Sequence, residues 1–166
     1  MIEPWLRGTL TDVDPILRQV LHALELAGED AARWCTPLTD AEINARPFRI
    51  APVAFHLRHI GHSLDRLLTY AEGRQLSPAQ LESLSRELLP EASTESVLSA
   101  FTTHLETAST RISTIDPDLF QAPREVGRQR LPTTVGGLLV HCAEHTQRHI
   151  GQAVTTAQIV ERMRSA

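Results

Sequence analysis

The chain has 166 residues, of which 42% are apolar and 22% charged, and a formal net charge of −4. That length supports one domain with a substantial core, taken here as residues 1–166, and the mild acidity gives no pull toward nucleic acid or an anionic membrane. No apolar run approaches the roughly 18 residues needed to cross a bilayer, and Met1-Ile2-Glu3-Pro4-Trp5 lacks the basic-then-apolar pattern of a secretory signal. With Cys35 and Cys142 too few for a disulfide framework, the expectation is a cytoplasmic protein with no nucleic-acid or membrane partner.

Four long segments carry helical periodicity. The first runs from about Asp12 to Trp34. Asp14-Pro15 suits its start, and Ile16, Val20, Leu24 and Ala27 fall on one face beside Leu17 and Leu21. A short helix is expected after Thr39-Asp40-Ala41-Glu42, which reads as a capping box. The second long segment runs from about Pro52 to Glu72 and stops at Gly73, a natural residue after a helix end. Ser77-Pro78-Ala79-Gln80 reads as a second capping box inside the following link. The third long segment starts near Ser93, continues through Val97, Phe101, Leu105 and Ile112, and stops before Pro117. The fourth follows Pro132 and runs to about Arg162. No alternating run of β-branched and aromatic residues signals a strand, so the expected class is all-α. The link between the second and third helices spans about 19 residues, long for a bundle hairpin. A link of that size can run back along the bundle, which favours an up-down-down-up four-helix bundle with a long crossover between helices two and three.

The histidines carry the chemical signal. Of eight, six fall in two short windows: His56, His59 and His62 in the second helix, and His141, His145 and His149 in the fourth. Spacings of three and four place each trio along one side of its helix, and a bundle can turn two such stripes toward each other. Imidazoles bind zinc, nickel, copper or iron, and a three-histidine site with an open fourth position is typical of catalytic metals. Against this stands the ordinary reading of a histidine as a packed, hydrogen-bonded core residue.

Two stretches also resemble known motifs. Phe55-His56-Leu57-Arg58-His59-Ile60 is similar to the second-helix motif of the DinB/YfiT-like superfamily, in which a histidine followed by an aliphatic residue supplies the first metal ligand. Thr134–Gln152, containing His141-Cys142-Ala143-Glu144-His145 and ending in His149-Ile150-Gly151-Gln152, resembles the fourth-helix motif, in which the last two histidines before a Gly-Gln pair complete the triad. Matched residue by residue, the resemblance selects His59, His145 and His149 as ligands. It leaves His56, His62 and His141 as groups that line the pocket or orient the ligands. It further implies a four-helix bundle, often a homodimer, holding nickel or zinc. Some members are thiol-dependent S-transferases or isomerases that use bacillithiol, mycothiol or glutathione.

Three functions follow: a metal-dependent thiol S-transferase acting on a small molecule, a metal-dependent hydrolase, and a non-catalytic metal-binding stress-response protein. No catalytic residue beyond the metal ligands is assigned. His141-Cys142-Ala143-Glu144-His145 fits an inverted zinc-protease motif, but a small helical chain lacks the body such enzymes need. The di-iron signature is absent, since Gln147 and not histidine stands three residues after Glu144. Cys142 reads as a buried thiol more readily than as a nucleophile. Arg58 and Arg148, beside the ligands, read first as solvated or ion-paired and second as anion-binding. Glu144 is a weak candidate base. Trp5, Trp34 and Phe55 are expected in the core or the pocket wall.

Overall fold

The computed structural model describes residues 2–87 and 93–164. It is mostly helical, with helices α1 (Pro15–Trp34), α2 (Asp40–Ile43), α3 (Val53–Ala71), α4 (Pro78–Arg86), α5 (Thr94–Ser113) and α6 (Val135–Arg164). One feature departs from the all-α expectation. Strands β1 (Pro123–Val126) and β2 (Leu131–Thr134) pair antiparallel, with Pro123 opposite Thr134 and Val126 opposite Leu131.

Local chemistry sets the helix ends. The Asp14 carboxylate accepts from the Ile16 and Leu17 amides and Pro15 occupies the first turn of α1. Thr39 with Glu42 and Ser77 with Gln80 both form complete capping boxes, starting α2 and α4 as the sequence anticipates. Gly73, at φ 77°, closes α3 in a left-handed conformation that other residues adopt only with strain. Because α1 begins at Pro15, Ile16 lies in its first turn and is exposed, whereas Val20, Leu24 and Ala27 on the same face are buried.

Helices α1 and α3 each pack on both α5 and α6. The core between them is apolar, with Leu24, Leu57, Ile60, Leu64, Leu68, Ile112, Leu139 and Ile150 at most 1% exposed. Each such side chain contributes about 1.5–3 kcal/mol by leaving water. Gly61 allows the close approach of α5 to α3, since a Cβ there would stand 2.6 Å from Cδ2 of His104. Polar ties fix the helices in register at the rim. Arg111 on α5 donates to the Asp65 and Glu72 carboxylates of α3, each at 2.7 Å, and Gln147 on α6 donates to the Ala23 carbonyl of α1.

The connections reach the flank of the packed helices. Gln80, in the first turn of α4, donates to Asp65 and Thr69 near the end of α3. Glu87, which caps the other end of α4, reaches His59 and Arg66 further back along α3. Helix α4 therefore runs antiparallel to α3. The β1–β2 hairpin is anchored by Arg124, whose Nε donates to the Ala71 carbonyl at 2.8 Å, a cation on the electronegative end of α3. Thr134 then accepts from the Gly137 amide and starts α6. Among the described residues, no helix is long and apolar enough to cross a membrane.

Candidate metal centre

Helices α3 and α6 pack together more extensively than any other pair, and their histidine stripes meet across that contact. His59, His145 and His149 each offer a ring nitrogen to one group whose atoms all lie within 4.8 Å of one another. Nε2 of His59 and Nε2 of His145 are 3.2 Å apart. Two imidazoles on one tetrahedral ion, each at about 2.05 Å, stand about 3.3 Å apart, so that spacing fits a shared metal. The donor set, three neutral nitrogens of borderline softness, suits a divalent transition ion.

The surrounding groups fix which nitrogen faces the centre. Nδ1 of His59 lies 2.6 Å from Oε2 of Glu87. A carboxylate only accepts, so His59 carries its proton on Nδ1 and turns the Nε2 lone pair toward His145. Phe55, half-buried on α3, stacks on the His59 ring at 15° and holds its plane. Nδ1 of His56 lies 3.1 Å from Nδ1 of His149, with one of the two donating. If His149 donates, its Nε2 is left free for the centre.

Protonation favours the same state. Burial first, then the neighbouring His149 and His59, push the His145 pKa down to about 4. Burial, followed by the same two-fold crowding from His149 and His59, brings His56 to about 4. His149 is also lowered, by burial and then by His59 and Arg148. These rings are neutral at pH 7, as a metal ligand must be.

Glu87 was not foreseen from the sequence. It is 4% exposed and bridges three partners: the His59 hydrogen bond, Nη1 of Arg66 at 3.2 Å, and Nδ1 of His62 at 3.4 Å. The His62 contact has ion-pair distance without hydrogen-bond geometry. Burial alone would raise the Glu87 pKa, but His59, His62 and Arg66 outweigh it and hold the carboxyl well below its usual range. The only sequence signal was the second capping box, which announces α4 but not where its far end lands.

The other expected groups sort by position. His56 backs His149, while His62 turns away toward His104, whose ring it meets edge-on at 5.5 Å. His141 lies one turn before His145, with ring centres 5.5 Å apart, and its Nδ1 is 3.0 Å from Oε2 of Glu144. Glu144 also pairs with Arg148 on the exposed side of α6, so neither belongs to the three-histidine group. Arg58 lines a separate cavity with His62 and His104. Burial pushes the Cys142 thiol up to about 12, and Cys35 likewise, which makes both inert at neutral pH. Trp34 packs against the core, whereas Trp5 is 53% exposed in the short turn Pro4–Leu6, contrary to its expected burial.

The centre is reached from outside. A cleft of about 430 Å³ is lined by His59, His141 and His145 together with Val126, Gly127 and Arg128 of the hairpin turn.

Fold and site together define a helical protein in which α3 and α6 bring together a half-buried histidine cluster able to hold a divalent ion. The family model of the DinB superfamily matches residues 23–153, and the chain belongs to that superfamily. A search of curated proteins returns no match.

Proposed function

We propose that this protein is a metal-dependent S-transferase that joins a low-molecular-weight thiol to a small electrophilic molecule, with His59, His145 and His149 as the ligands of nickel or zinc. The observation that carries the reading is the cleft of about 430 Å³ opening on His59 and His145, with arginines and no carboxylate among its described lining residues. A non-catalytic metal site would be closed by a fourth protein ligand, and among the described residues the ligand group holds three.

When bound, a divalent ion there supplies Lewis acidity, lowering the pKa of a thiol or water that enters the open position. The chain's own residues do the rest. Glu87 accepts a hydrogen bond from the His59 Nδ1–H and keeps that ring oriented, and the hydrogen bond between the Nδ1 atoms of His56 and His149 holds the His149 ring. Phe55 excludes water from the His59 face. One observation favours the hydrolase reading instead: His141 lines the same cleft and is oriented by Glu144, the arrangement of a general base.

The reading includes a four-helix bundle of up-down-down-up topology formed by α1, α3, α5 and α6. The pairing of α1 and α3 with both α5 and α6 supports it, as does the long crossover containing α4. It also takes residues 1–166 as one domain, cytoplasmic and homodimeric.

The test is spectroscopic. Cobalt replaces the native ion, and bacillithiol, mycothiol and glutathione are added in turn. A transferase shifts the cobalt ligand-field bands with one of these thiols far more than with the others, and then turns over an electrophilic acceptor with that thiol. Bands that ignore all three thiols would remove the transferase reading.

A further inference from the structure

The β1–β2 hairpin carries three arginines, and two are committed. Arg124 donates to the Ala71 carbonyl, and Arg130 pairs with Glu125 across the turn at 2.5 Å. Arg128, at the tip, is exposed and makes no hydrogen bond or ion pair among the described residues, yet it lines the same cleft as His59 and His145. Turn chemistry aims it there. Gly127 at φ 72° and Arg130 at φ 51° close the tip, with the Arg130 amide donating to the Gly127 carbonyl.

The remaining lining narrows what could occupy the space. Arg66 is a second guanidinium in the same cleft, but Glu87 neutralises it. No described aspartate or glutamate lines the cleft, so Arg128 is its uncompensated charge. Apolar side chains, Leu67, Leu76, Leu81 and Val126, also line it, with Leu76 half-buried and Leu81 46% exposed, beside the polar Ser63 and Tyr70. A volume of about 430 Å³ is in the range for a small organic ligand.

We infer that the cleft binds a small organic anion with an apolar body, its anionic group held by Arg128 at the hairpin tip and its other end directed to the histidine centre. The inference rests on the proposal that this cleft is the substrate side of the site, and it names the substrate class. A guanidinium pairs with carboxylate or phosphate alike. The hairpin is then the element that selects the substrate, and Arg128 is a binding residue that takes no part in the chemistry.

The experiment uses the full chain, both stripped of metal by dialysis and loaded with zinc, and titrates it calorimetrically with 4-phenylbutyrate, phenyl phosphate and 4-phenyl-1-butanol. At least one anion should bind about tenfold more tightly than the alcohol, in both forms of the protein. Which of the two anions binds distinguishes carboxylate from phosphate as the source. Arg128→Gln should weaken that anion about tenfold and leave the alcohol unchanged, Arg128→Lys should restore part of the loss, and Arg130→Gln should have no effect. Because Arg128 makes no bond within the fold, its variants keep the wild-type thermal midpoint. Equal binding of anion and alcohol, or an anion affinity indifferent to Arg128→Gln, overturns the inference. Binding to the metal-free chain separates this outcome from failure of the metal reading, which would leave anion affinity intact and remove only zinc binding.

Discussion

Glu87 is the residue on which the geometry of the centre turns, so its removal is the most informative perturbation. The residue is 4% exposed, and its carboxylate accepts from His59 Nδ1 at 2.6 Å and pairs with Arg66 at 3.2 Å. Without it, His59 loses the group that fixes its tautomer and ring angle. Losses of this kind typically weaken a metal site 10–100-fold, equivalent to about 1.4–2.7 kcal/mol. Glu87→Gln keeps an oxygen that can accept from Nδ1 but loses the charge, so it should sit near tenfold. Glu87→Ala loses both and should sit near 100-fold. The Ala variant also leaves Arg66, 11% exposed in its side chain, without its carboxylate, at a cost of about 1–3 kcal/mol in the metal-free fold. Zinc affinity is read by competition with a chromophoric chelator, and fold stability by urea unfolding of the metal-free protein. A Glu87→Ala protein that unfolds cooperatively and binds zinc within twofold of wild type would refute the reasoning.

His59→Ala, His145→Ala and His149→Ala should each abolish tight metal binding, whereas His56→Ala, His62→Ala and His141→Ala should cost at most 10–100-fold; chelator competition across the series checks the ordering, and an indispensable His62 with a dispensable His59 would reverse the assignment. The metal-free chain should lose stability on acidification. His56 has a folded pKa near 4 against an ordinary value of 6.5, so the unfolded chain binds more protons between those values. Its contribution is fully present above pH 6.5 and falls by about 2 kcal/mol between pH 7 and pH 5, with His145 adding in the same direction. Urea unfolding at the two pH values measures it, and stability that rises on acidification would contradict the shifts. A homodimer should sediment at twice the 18.4 kDa chain mass, and a monomer mass at tens of micromolar would count against it.

The long helices were legible because their signals are local. Apolar periodicity, Asp14-Pro15, the two capping boxes and Gly73 each act within a few residues, and α1, α3, α5 and α6 begin and end within about three residues of their expected bounds. The histidine stripes were legible for the same reason, since spacings of three and four are a property of one helix. The hairpin was not. Its strands are four residues each, β2 contains Pro132, and their pairing depends on Arg124 reaching the end of α3 and on the turn at Gly127–Arg130. Glu87 and Arg128 were silent for a related reason. Each is an ordinary charged residue in a connection: only the antiparallel return of α4 brings Glu87 to His59, and only the placement of the hairpin brings Arg128 to the cleft. His104 likewise gains its meaning from Gly61, which lets α5 close on α3 beside His62.

The central claim is that three imidazoles on α3 and α6 hold one divalent ion. Elemental analysis of protein purified without a nickel-affinity step tests it most directly. The account predicts close to one nickel or zinc per chain, removed by chelator and restored by added ion. A preparation that contains no transition metal and cannot be loaded with any would contradict it.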